Sequence, residues 1–160
     1  MSLSGDGLLS LVHVVAATIW VVAGLLGQGL RLARGRLRDA VAPAIDPRSR
    51  FLPVVEHASL VVALIAGGLL LHVRGWGPGH ARWLAVKLGL VAVLVLPLEA
   101  MHAYVNHVFI PRALRGGAGS PAGRDLSRGL GIDDMIRTLS VPLLGVCVPL
   151  LVWLSVRKPF

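Results

Sequence analysis

Four long apolar stretches, separated by charged and turn-forming segments, organise this chain. Residues 8–30 and 139–156 contain no charged side chain, 53–73 contains Glu56, and 83–110 contains Lys87 and Glu99. A helix needs about 20 predominantly apolar residues to cross about 30 Å of hydrocarbon. The pattern therefore predicts an all-α integral membrane four-helix bundle, with residues 1–160 forming a single transmembrane domain. Within the stretches, small and polar residues recur at helical spacing: His13, Ala17, Trp20, Gly24, Gly27 and Arg31 in the first, and Glu56, Ala63, Gly67 and Arg74 in the second. Such stripes pack against neighbouring helices while the Val and Leu faces meet lipid. Glu99, His102 and Asn106 share one face of the third. Pro142, Gly145 and Pro149 mark the fourth as a packing wall.

Composition agrees with the pattern: 55% of residues are hydrophobic, 15% are charged, and the mean hydropathy is +0.75. The net charge of +8, from 16 Lys and Arg against 8 acids, would suggest nucleic acid in a soluble protein. Here the positive charges lie between the apolar stretches, which argues for membrane orientation and against nucleic acid. Six Arg fall in 31–52 and five in 111–137, whereas the other side has only Arg74, Arg82, Arg157 and Lys158. Both termini are therefore expected on the outer side, in a multi-pass protein of a bacterial inner membrane. Asp6, with no Lys or Arg before the first stretch, argues against a cleavable signal peptide. Gly116, Gly117, Gly119, Pro121 and Gly123 predict a flexible third connection. Cys147, the only cysteine, reads as a small core residue.

The two glutamates, Glu56 and Glu99, both lie in apolar stretches, where a charge is costly and marks function, pairing or an interface. Helical rise sorts the histidines by depth from the outer face: His72 at about 2 Å, His13 at about 8 Å, and His57 and His102 with Glu99 at about 24–28 Å. Lys87 falls at about 6 Å, while His80 and His107 read as solvated or interfacial. His57 and His72, fifteen residues apart, can look into one bundle from opposite ends, as ligands of two stacked haems do. His13 and His102 are the depth-matched partners for bis-imidazole ligation in the outer and inner halves, which predicts one or two haem b groups. A Glu-x-x-His di-iron site would need a second copy that the chain lacks, and a copper site of thioethers and thiols is poorly supplied.

Leu11-Val12-His13 followed by Trp20 and Ala23-Gly24-Leu25, Trp83-Leu84-Ala85-Val86-Lys87-Leu88, and the ending Arg157-Lys158-Pro159-Phe160 resemble the small four-helix membrane proteins that include HemJ-type protoporphyrinogen IX oxidase. Asn106 to Arg112 is closer to the CopD-like copper-resistance pattern. The chain departs from the HemJ pattern at Glu56-His57, at Ala85, and at His102, which stands fifteen residues after Lys87. The resemblance implies a haem b held through His13, functional roles for Trp83 and Lys87, and oxidation of protoporphyrinogen IX with electrons leaving to a quinone or partner chain. The expected function is a b-haem membrane oxidoreductase or electron-transfer protein. Glu56 or Glu99 would carry protons, and Lys87, Arg31 and Arg112 would neutralise propionates. Two alternatives stand beside it. One is a copper or cation transport component with a polar path through Glu56, His57, Glu99 and His102. The other is a cofactor-free scaffold subunit of a larger membrane complex or homo-oligomer.

Overall fold

The computed structural model describes residues 5–35, 51–77, 79–115 and 122–157. Among the described residues no strand is present, and four helices are long and apolar enough to cross a membrane: Gly5–Leu30, Phe51–Val73, Arg82–Arg112 and Arg128–Arg157. The expected spans are recovered, the first three nearly at their boundaries. The fourth lies in a helix that begins at Ala122, well before the expected Leu139, and Leu130, Ile132 and Ile136 put its packed face ahead of the uncharged run. Of the glycine-rich connection, Gly116, Gly117, Gly119 and Pro121 lie outside the described residues, and Gly123 falls in the first turn of the last helix.

The chain divides into two compact units, Met1–Gly77 and Pro78–Phe160. In the first, α1 (Gly5–Gly35) packs against α2 (Phe51–Val73). Three contacts fix one antiparallel register: Asp6 with Arg74, His13 with Gly67, and Gly24 with Glu56. The seam buries Ala16, Trp20 and Ala23 of α1 and Ser59, Leu60, Ala63 and Ala66 of α2. Small residues let the backbones approach, since lipid tails give apolar side chains no hydrophobic reason to pair. α2 stops at Gly75, whose φ of 65° suits a residue without Cβ. Gly75 N–H donates to His72 O and Trp76 N–H to Leu71 O, the paired bonds that close a helix C-terminus.

The second unit packs the third span against the long fourth helix. The third span is α3 (Arg82–Leu90), a π-helical turn (Val91–Val95), α4 (Leu96–Tyr104), a second π-helical turn (Val105–Phe109) and α5 (Ile110–Arg115). Each π turn ends two residues before a proline, Pro97 or Pro111. Proline has no N–H for the carbonyl four residues back and its ring crowds that carbonyl. The wider turn relieves this through i−5 bonds, Leu96 N–H to Val91 O and Ile110 N–H to Val105 O. α6 (Ala122–Arg157) completes the pair. Val105, Ile110 and Ile136 form a buried cluster with Leu98, Leu130 and Ile132 against it, and Cys147 is buried as the sequence suggested. In both units large apolar side chains point outward, including Val14, Ile65, Val93 and Val146. Water would penalise so much exposed apolar surface, whereas hydrocarbon accepts it.

Candidate functional sites in the two helix pairs

In the first unit His13 and Glu56 on the seam each occupy a notch made by a glycine of the facing helix. A Cβ on Gly67 would stand 3.0 Å from Cε1 and 3.1 Å from Nδ1 of His13, and one on Gly24 would stand 2.9 Å from Oε1 of Glu56. His13 Nδ1 is 2.7 Å from the carbonyl oxygen of Ala63 on α2. An oxygen acceptor at that nitrogen places the ring proton on Nδ1 and leaves Nε2 with its lone pair. The same arrangement occurs at His57, where Nδ1 lies 2.6 Å from Pro53 O and Nε2 is shut away from the surface. By the register of the pair, His57 lies level with Ala23, ten residues or about 15 Å along the seam from His13.

Glu56 is 5% exposed, so its carboxylate stays in the seam. His72 does not stand beside His13. It is exposed in the last turn of α2, level with Leu8, about 7.5 Å toward the Asp6–Arg74 end. There Arg74 Nε approaches Asp6 Oδ2 at 3.8 Å, its Nη2 donates to Ser10 Oγ at 3.1 Å, and its guanidinium stacks 5.2 Å from the Trp76 ring centre.

In the second unit Lys87 Nζ donates to Ser155 Oγ at 2.7 Å, and that hydroxyl donates to Leu151 O at 2.7 Å. The ammonium is thus tied to α6, with Trp83 buried one turn away on α3. Glu99 and His102 are both buried on α4, at 5% and 4% exposure. Arg112 is exposed at the end of the third span, and the side chain of Arg31 lies outside the described residues.

The polar centre of this unit is one that sequence reasoning missed. Asp133, 4% exposed, receives Asn106 Nδ2 on Oδ1 at 2.7 Å, meets His102 Nε2 at 3.3 Å, and faces Arg137 Nε through Oδ2 at 3.4 Å. The His102 contact is close enough for an ion pair but is not aligned as a full hydrogen bond. Asn106 also donates to His102 O at 3.0 Å, tying the amide to both helices. Arg137, counted above with the positive charges of 111–137, is instead buried with Asp133 on α6, where i, i+4 spacing pairs them on the packed face. That spacing, interleaved with Leu130, Ile132 and Ile136, was the signal available in the sequence.

No protein-family model, curated protein or solved structure matches this chain.

Proposed function

We propose that this multi-pass membrane protein binds b-type haem in the bacterial inner membrane and passes electrons, with His13 and His57 as imidazole ligands. The observation that carries the reading is the shared disposition of these two rings. Nδ1 of each lies within 2.7 Å of a backbone carbonyl, which makes Nε2 the lone-pair nitrogen, the one a metal would take. Metal-bound histidines commonly give their second nitrogen to such a carbonyl, which fixes tautomer and orientation together. The donor chemistry therefore suits haem iron. Rings about 15 Å apart along the seam cannot share one iron, so two ligands mean two groups per chain and a single group means one of the two rings.

When bound, haem supplies one-electron chemistry whose potential depends on its ligands and on burial. The chain's own residues do the rest. Gly67 leaves room for the His13 ring, the apolar faces exclude water, and Glu56 and Glu99 hold protons within the spans. In the second unit Lys87, held by Ser155, and the exposed Arg112 are the cations that would answer a propionate there. His72 and His102 support the reading less, since one is exposed and the Nε2 of the other faces Asp133. Oxidation of protoporphyrinogen IX, with Trp83 and Lys87 at the substrate and a quinone or protein taking the electrons, is the activity the HemJ resemblance implies.

Replacing each histidine singly by Ala tests the ligand set. His13→Ala and His57→Ala should remove or shift the haem absorption, whereas His72→Ala should leave it unchanged. An unaltered spectrum in both of the first two would overturn the assignment. The buried carboxylates Glu56 and Glu99 favour cation transport as the second reading, which copper without iron in the purified protein would support.

A further inference from the structure

Arg137 has no part in that reading, and the chain uses little of its bonding capacity. A guanidinium carries five N–H donors, and this side chain is only 9% exposed on a membrane span. Among the described residues one donor is engaged: Nε faces Asp133 Oδ2 at 3.4 Å, while Asn106 Nδ2 fixes Asp133 from the other side at 2.7 Å. Neither Nη group has a partner among the described residues, and neither is sealed from the surface. The strongest arginine–carboxylate pairs make two parallel bonds through the guanidinium fork. Here only the Nε bond is made, so the carboxylate steadies the fork and leaves its Nη edge for another acceptor.

The bond to Asp133 draws the guanidinium back one turn, about 6 Å, toward the start of α6. It is then level with Asn106, one residue before His107, which reads as interfacial. Arg112, Arg115 and Arg128 are exposed at this end of the second unit, where Gly129 packs on Phe109, and they outweigh the exposed Asp134. A two-donor fork, an excess of positive charge and headgroup depth thus coincide. Basic sites of this kind between spans take anionic lipid headgroups. We propose that Arg137, positioned by Asp133, binds the phosphate diester of an anionic phospholipid through its two Nη groups. The planar fork matches two phosphate oxygens, as a lysine ammonium would not. The exposed arginines repel a choline group, which selects a lipid with net negative charge.

Phosphorus reports on the site directly, and because haem propionates carry none, the readout is independent of the haem reading. The full chain, labelled with 15N in arginine, is reconstituted into vesicles of equal parts phosphatidylglycerol and phosphatidylcholine, and kept reduced so that any bound iron is ferrous. Arg137 signals are identified by their loss in Arg137→Lys, which keeps a cation beside Asp133. The expected result is a 15N–31P dipolar coupling from the Nη groups of Arg137 to phosphatidylglycerol, stronger than that from its Nε. No coupling, or equal coupling to both lipids, would overturn the proposal. Loss of the coupling on adding inorganic phosphate would also overturn it, because the ligand would then be free phosphate. In mixed micelles Arg137→Lys should weaken phosphatidylglycerol binding about tenfold, the worth of one hydrogen bond to a charged group. Arg157→Gln, at the other end of α6, should leave that binding unchanged, and an equal loss there would contradict the assignment. Should the lysine variant fail to fold, a wild-type chain that retains phosphatidylcholine as readily as phosphatidylglycerol still refutes the site.

Discussion

Glycine at position 67 has one physical task, to leave room for an imidazole. Gly67→Ala would bring a methyl group within 3.0 Å of the His13 ring, which is anchored to Ala63 and has little freedom to retreat. Overpacking of this kind costs about 1–3 kcal/mol. Gly68→Ala is the control, because nothing lies within 4 Å of the added carbon. Unfolding in mixed micelles should show the loss for the first and almost none for the second. Equal effects would mean that the His13 notch does not exist. Gly24→Ala should be milder despite its 2.9 Å contact, since that contact is with the far end of the flexible Glu56 side chain. At this scale the sequence exposed much of the first unit: the stripe from His13 to Gly27 and the run from Glu56 to Arg74 are the seam. What it could not supply was ring orientation, because Nδ1 of His13 is directed by a carbonyl fifty residues away.

The helix pairs place their electrostatic ties differently, and the magnitudes separate them. Arg74 meets Asp6 at the end of the α1–α2 pair with 34% and 46% of the two side chains exposed. Arg74→Ala should therefore cost under about 1 kcal/mol. Asp133→Ala would leave Arg137 buried without its carboxylate and should cost about 3–5 kcal/mol. Both are measured by the same unfolding titration, and a reversed order would contradict the burial of Asp133. The two π turns were not legible in the hydrophobic pattern. Their cause was, since Pro97 and Pro111 each deny a hydrogen bond to the preceding turn. Asp133 escapes a reading that ends the fourth span with its apolar run, because a packed face can admit charges that find partners within it.

For the whole molecule, four spans follow from length and apolarity alone, and they were the most legible feature of the sequence. The orientation rests on charge in the connections. With Arg137 withdrawn into α6, ten positive residues instead of eleven remain on the expected cytoplasmic side against four, so the sign is unchanged. Reporter fusions at the two termini should both register outside, and a cytoplasmic signal from either would reverse or break this topology. The function was less legible, because histidines spaced for ligation have the same spacing as histidines that hold helices together. Nδ1 geometry at His13 and His57 adds weight to the first role. The most direct test is the absorption spectrum of the protein purified from haem-replete membranes, with iron counted per chain. The account predicts a red protein with sharp reduced haem b bands and at least about one iron per chain; a colourless, iron-free preparation would contradict it.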